Sequence, residues 1–215
     1  MKWFVMSTTL WVWVLIILIV AECAEMQQPA LDANSYFNSG FAYGKKGQHD
    51  KAISDFTKAI EINPSYADAY YNRGLAYYCK GQYDKAISDC TKAIEINPKY
   101  AMAYLNRSAA YGKKGQHDKA ISDCNKAIEI NPKFAGAYLN RGRAYEEKRQ
   151  YNKAISDYSK AMEINPKFAM AYNYRGLLYM VKLDNKKKAC SDWKRACELG
   201  DCRNYTIAKR KGHCK

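Results

Sequence analysis

Between Asp84 and Asn97 the apolar residues Ala86, Ile87, Cys90, Ala93 and Ile94 recur at intervals of three and four, with polar and charged residues between them. That spacing lines one face of a helix. Asp84 is a suitable N-cap and Pro98 cannot continue a helix, so the pattern predicts an amphipathic helix that stops just before Pro98. Upstream, Tyr70, Arg73-Gly74 and Tyr77 share one face of an earlier helix, with Gly74 placed to let a neighbouring helix approach closely. Gly81 and Gln82 mark the turn between the two.

The same two-helix pattern recurs along most of the chain. DKAISDFTKAIEINP ends at Pro64, DKAISDCTKAIEINP at Pro98, DKAISDCNKAIEINP at Pro132 and NKAISDYSKAMEINP at Pro166, a spacing of 34 each time. First-helix segments begin at Tyr36, Tyr70, Tyr104, Tyr138 and Tyr172, which makes five units over about residues 33 to 202. A hairpin of this size cannot bury its apolar face alone, because domains below about 40 residues rarely fold unaided. Stacking of neighbours is therefore required, and the product is a solenoid.

These residues resemble the tetratricopeptide repeat family. Its pattern of an aromatic, Gly and Tyr in the first helix, then Ala, an aromatic, Ala and Pro in the second, is met by Tyr36, Gly40, Tyr43, Ala52, Phe56, Ala59 and Pro64 in unit one. Units two to four repeat it in phase, departing at Ser108 (for Gly) and at Cys90 and Cys124 (for the aromatic). Unit five keeps Tyr172, Gly176 and Tyr179, needs one inserted residue to align Ala189, Trp193 and Ala196, and has Gly200-Asp201 in place of the final Pro. The resemblance implies an all-α, right-handed α-solenoid of five 34-residue helix-turn-helix repeats (33–66, 67–100, 101–134, 135–168 and 169–202) followed by a basic C-terminal capping helix within 203–215.

It also implies that a peptide or helix of a protein partner binds the concave face lined by first helices. The corresponding positions are Asn38, Asn72, Asn106 and Asn140, flanked by Phe37, Tyr71, Leu105 and Leu139, with Phe41, Leu75, Ala109 and Arg143 one turn later. The asparagines supply amide donors and acceptors suited to a ligand backbone. Phe37, Phe41, Tyr71, Leu75 and Tyr78 form an apolar end. The Lys/Asn carboxylate clamp of chaperone-binding members is absent, because Phe37 and Phe41 occupy its positions.

Two charged columns follow the period: Arg73, Arg107, Arg141 and Arg175 in first helices, where unit one has Ser39, and Asp55, Asp89, Asp123, Asp157 and Asp192 in second helices. We expect each Arg to pair with the Asp of the preceding unit, Arg73 with Asp55 for example, since unit one has neither a preceding unit nor an Arg; the alternative, pairing within a unit, leaves Asp55 as the odd residue.

Residues 1–23 form a separate leader. Lys2 precedes an apolar stretch from Trp3 to Ala21, and small residues at Ala21 and Cys23 suit cleavage before Ala24, with 24–32 as a short linker. The nineteen residues from Trp3 to Ala21 also approach the length that spans hydrocarbon, so an uncleaved inner-membrane anchor is the alternative, and membrane contact is expected only through this segment. A lipoprotein signal at Cys23 is disfavoured by Glu22. Either way the repeats are expected outside the cytoplasm, periplasmic or extracellular.

Cys190, Cys197, Cys202 and Cys214 crowd the last 26 residues, which reads as disulfide chemistry in an exported chain. Cys190 and Cys197 lie about 10 Å apart along one helix, too far to join each other. If the chain folds back through a short helix, Cys214 returns to Cys190 and Cys197 is left for Cys202. Cys79, Cys90 and Cys124 read as thiols within the repeats. A zinc site with His213 lacks a tight C-x-x-C pair, and no C-x-x-C-H haem attachment exists, so no metal and no cofactor is expected. His49 and His117 read as solvated turn residues, and no catalytic constellation is evident.

Composition changes this picture in one respect. The formal net charge is +14, from 35 Lys+Arg against 21 Asp+Glu, which bears on association rather than fold. Half of it, a surplus of seven, lies in Lys182 to Lys215, so any polyanion contact belongs at that end. No specific nucleic-acid partner is expected.

Overall fold

The computed structural model describes residues 32–214. The leader and its cleavage region fall outside the described residues. Among those described there are helices and no strands: α1 (Ala33–Lys45), α2 (His49–Ile62), α3 (Ala67–Cys79), α4 (Tyr83–Ile96), α5 (Ala101–Lys113), α6 (His117–Ile130), α7 (Ala135–Glu147), α8 (Tyr151–Ile164), α9 (Ala169–Val181), α10 (Lys186–Glu198) and α11 (Arg203–Arg210). Each odd-numbered helix from α1 to α9 packs against the next as a hairpin, and each hairpin packs on its neighbour. The result is an all-α helical repeat solenoid. Successive first helices also touch, α1 with α3, α3 with α5 and α5 with α7. The first-helix layer is therefore the inner one.

The turn inside each hairpin needs left-handed backbone. Gly47, Gly81 and Gly115 adopt φ of 71°, 74° and 71°, and in unit four the same place is taken by Arg149 at φ 58°. The second helices begin at the residue after Gln48, Gln82, Gln116 and Gln150, none of which makes a side-chain cap bond. Asp84 is thus not the N-cap its residue type suggested. It sits in the first turn of α4, where a carboxylate still favours the helix N-terminus, and its carboxylate takes the Lys114 ammonium of the next unit. Asp50 with Lys80 and Asp118 with Lys148 repeat that link.

The core follows the expected columns. Ala52, Phe56, Ala59, Ala86, Cys90, Ala93, Cys124, Tyr158 and Trp193 are buried. Size at one column is matched to size at another. A Cβ on Gly40 would lie 2.9 Å from Phe56, on Gly142 2.7 Å from Tyr158 and on Gly176 2.7 Å from Trp193. On Gly74 it would lie 3.2 Å from the smaller Cys90. Ser108, the departure from glycine, lies against Cys124, a side chain smaller than the Phe56, Tyr158 and Trp193 that stand opposite glycines.

The arginine ladder is internal to each unit, which corrects the pairing expected from sequence. Arg73 donates to Asp89 through Nε and Nη2, both at 2.8 Å, and not to Asp55. Arg107 holds Asp123, Arg141 holds Asp157 and Arg175 holds Asp192 in the same bidentate way. The preceding unit supplies a neutral acceptor instead: Nη1 of Arg73 donates to Thr57, of Arg107 to Thr91, of Arg141 to Asn125 and of Arg175 to Ser159. Antiparallel packing of the hairpin brings these two positions level. In unit one the Ser39 hydroxyl donates to Asp55 at 2.6 Å, so that carboxylate has a partner without an arginine. Burial opposes the charge on Arg73, but its bond to Asp89 and that carboxylate's charge prevail and raise the guanidinium pKa.

At the C-terminal end the inserted residue falls in the turn after α9, where Asp184 takes φ 43° and the Asn185 side chain accepts from the Lys188 amide. Helix α11 then folds back on α10. Ala189, Trp193, Ala208 and Cys214 form a small core flanked by Tyr179 and Tyr205. Cys190 is joined to Cys214 with Cα atoms 5.5 Å apart, and Cys197 to Cys202 at 3.8 Å.

Candidate functional site

Two recesses of different character on the inner surface take in predicted contact residues. The first lies between units one and two, has a volume of about 210 Å³, and is walled by Phe41, Phe56, Leu75, Ala76 and Cys79 with Asn72 at its edge. Phe41 and Leu75 are 43% and 38% exposed. Phe41 continues an aromatic run, since Phe37 lies 6.3 Å from it, 5.0 Å from Tyr66 and 5.7 Å from Phe56. The Lys45 ammonium sits 4.5 Å from the Phe41 ring.

The second lies between units two and four and is smaller, about 70 Å³, with Tyr78 and Arg143 on opposite walls and Ala109 and Gly112 between them. Burial raises the Tyr78 phenol above its ordinary value, and the Arg143 charge works against that rise. Arg143 is held over the Tyr174 ring at 5.2 Å, and Tyr174 in turn stacks on Tyr158, whose hydroxyl donates to Glu146 at 2.7 Å.

The predicted contact residues divide between these recesses, the rim and the core. Phe41, Asn72 and Leu75 line the first recess, and Tyr78 and Asn140 the second. Asn38 is exposed, and Phe37, Tyr71 and Leu105 are half-buried, with Tyr71 packed 5.1 Å from Tyr100. Leu139 is 5% exposed and belongs to the core beside Tyr158 and Leu178. Asn106 is 8% exposed and its amide donates to the Cys90 sulfur at 3.5 Å. The Asn72 amide donates to the Asp68 carbonyl of its own helix at 2.8 Å. The asparagines therefore do not present one continuous row of unoccupied amides.

The reason lies one unit back. This column faces the second-helix aromatic position of the preceding unit, 16 residues earlier. Asn72 meets Phe56, which offers no acceptor, and turns to its own helix; Asn106 meets Cys90 and tucks in; Tyr174 meets Tyr158 and stacks on it.

Lys113, His117 and Glu147, which also border the second recess, are not among the predicted contact residues. His117, expected as a solvated turn residue, is half-buried, and its Nδ1 has no hydrogen-bond partner among the described residues. Arg143 was visible as the one charge in a column otherwise filled by Phe41, Leu75, Ala109 and Leu177. Among the described residues no cluster of His, Cys, Asp or Glu has the makings of a metal site, and no helix is long and apolar enough to cross a membrane.

Stacked hairpins with an inner first-helix surface define an α-helical repeat scaffold. The sequence profile of the tetratricopeptide repeat matches residues 67–100, 101–134 and 135–168, and a second profile, described as TPR repeat, matches 40–81. More than half the chain is matched, and the protein belongs to the tetratricopeptide repeat family. Among solved structures, a crystal structure of MamA is 29% identical with a TM-score of 0.65, over 74% of this chain and 93% of that one. MamA 41-end from Desulfovibrio magneticus RS-1 is 23% identical with a TM-score of 0.68, over 78% and 94%. YrrB, described as a TPR protein with an unusual peptide-binding site, is 24% identical with a TM-score of 0.63, over 88% and 97%. The last two likenesses bear on the fold alone. No curated protein matches at a significant level. Family and fold make this chain a protein-interaction scaffold, in a family whose fold is typically non-enzymatic.

Proposed function

We propose that the protein acts outside the cytoplasm as a non-enzymatic assembly scaffold that binds an extended peptide or a helix of another protein along its first-helix surface. The observation that carries this reading is the apolar recess between units one and two. Phe41 and Leu75 stand solvent-facing around an opening of about 210 Å³, large enough for one apolar side chain of a partner. Burying a Leu or Phe there contributes about 1.5–3 kcal/mol. Half-buried aromatics around it, Phe37 and Tyr71, extend the surface on either side.

Export is supported by the apolar leader with a small-residue cleavage pattern before Ala24 and by the paired cysteines at the far end. An uncleaved leader makes the same scaffold a membrane-anchored envelope or secretion assembly factor, and the mass of the mature N-terminus separates the two. A second reading, polyanion binding, is favoured by exposed Lys186, Lys187, Lys194, Lys209, Arg210 and Lys211 around α10 and α11. Salt-dependent heparin retention lost on neutralising these residues tests it.

The groove is tested with peptides selected from a random library on the purified chain. Binding is expected to weaken at least tenfold in Phe41→Ala/Leu75→Ala. Peptides that bind this variant as tightly as wild type reject the reading.

A further inference from the structure

The recess between units two and four owes its shape to what unit three lacks. Where units one, two and five carry Phe41, Leu75 and Leu177, unit three has Ala109, and a turn later Gly112. A Cβ built on Gly112 meets nothing within 4 Å. At about 70 Å³, against about 210 Å³ for the apolar recess, the opening is small and has room for a carboxylate group.

Its polar lining is unmatched. Lys113, Arg143 and Glu147 all border it, and among the described residues none of the three has an ion-pair partner within 4 Å, whereas the neighbouring Lys114 and Lys148 do. Two cations against one carboxylate leave one positive charge, the complement of a single acidic group. Arg143 lies over the Tyr174 ring and makes no hydrogen bond to the protein among the described residues, so its guanidinium donors are open to a ligand.

We infer that this recess is an acidic subsite of the groove, which receives an Asp or Glu side chain of the bound partner. The carboxylate accepts from the Arg143 guanidinium, Lys113 contributes the second positive charge, and the small Ala109 and Gly112 admit it to that depth. The inference rests on the first-helix surface being the binding face. With the apolar recess one unit away, it gives the partner a chemistry: an apolar anchor followed, along the groove, by an acid.

The test uses library-selected peptides on the full chain, with two variants that preserve the fold. Arg143→Leu places in unit four the residue that units two and five have there, and Gly112→Leu fills the recess while replacing a poor helix former by a good one. Wild-type binders are expected to share an Asp or Glu at one fixed place, and its replacement by Asn or Gln is expected to weaken binding at least tenfold, because charge-assisted bonds are the strong class. In either variant the same replacement is expected to change affinity less than twofold. Peptides that depend on Phe41 and Leu75 but show no acidic preference, or keep it in both variants, overturn the subsite and leave the groove standing. Peptides indifferent to Phe41 and Leu75 as well, or a library that yields no binder, overturn both.

Discussion

Arg73 grips Asp89, 16 residues further along its own unit, through two parallel hydrogen bonds of 2.8 Å, and spends its remaining terminal nitrogen on Thr57 of the unit before. One side chain thus ties a hairpin together and ties it to its neighbour. The arrangement recurs at Arg107, Arg141 and Arg175, so the ladder runs along the solenoid as a series of identical clips.

Breaking a clip on one side leaves a buried charge. The Asp123 side chain is 8% exposed and that of Arg107 16%, and a carboxylate stranded this way costs about 3–5 kcal/mol. Arg107→Met is expected to lower urea-unfolding stability by that order. Arg107→Met/Asp123→Leu is expected to recover most of the loss, since replacing both partners removes the stranded charge. A single-variant loss below about 1 kcal/mol, the range of exposed pairs, contradicts the structural role given to the ladder.

Glycine tolerance should follow the size of the opposite residue. At Gly142 an added Cβ comes within 2.7 Å of the Tyr158 ring, and at Gly112 it meets nothing. Gly142→Ala is expected to destabilise by about 1–3 kcal/mol through overpacking, and Gly112→Ala to stabilise by up to about 1 kcal/mol through helix propensity. Gly74→Ala, facing Cys90 at 3.2 Å, should fall between them. Thermal unfolding of the three variants gives the order, and an inverted order rejects the pairing of small with large.

The hairpin, its turn and the repeat were legible because each rests on local chemistry: a helical face, a left-handed glycine, a proline. The partner of Arg73 was not, because Asp55 lies 18 residues before it and Asp89 16 after it, and linear spacing favours neither. What decides is the level at which two antiparallel helices meet. A usable signal was present in Thr57, Thr91, Asn125 and Ser159, acceptors that recur one unit ahead of each arginine. In the proposed groove the exposure of Phe41 and Leu75 was legible, because they break a polar face. Asn72 and Asn106 are the same residue at the same position, and only the side chain opposite, Phe56 or Cys90, separates a rim amide from a buried one.

The pairs Cys190–Cys214 and Cys197–Cys202 make the cap a covalent extension of α10. Peptide mapping of unreduced protein is expected to recover these two links and no other. Cys190→Ala/Cys214→Ala, which opens a loop of 24 residues, is expected to cost about 3 kcal/mol in the chain-entropy account. The loss should be local, with faster amide exchange in α11 and unchanged exchange in α3 to α8. Recovery of a different pairing, or of free thiols at these four positions, rejects the assignment.

The remaining thiols give the fold an alkaline limit. Burial pushes the Cys90 and Cys124 thiols up to about 12 from an ordinary value near 9. Between those limits the unfolded chain releases protons that the native chain retains, so stability is complete below about pH 9 and falls as pH rises towards 12. The slope is about 1 kcal/mol per thiol per pH unit. A Cys79→Ser background removes the exposed thiol that could attack the disulfides. In it, urea unfolding at pH 8.5 and 10 is expected to show a larger alkaline loss than in the same background carrying Cys90→Ala/Cys124→Ala. The difference isolates the two buried thiols, because lysines and tyrosines titrate alike in both. Equal losses mean that the two thiols ionise as readily in the fold as outside it, and the buried packing of Cys90 and Cys124 then does not hold in solution.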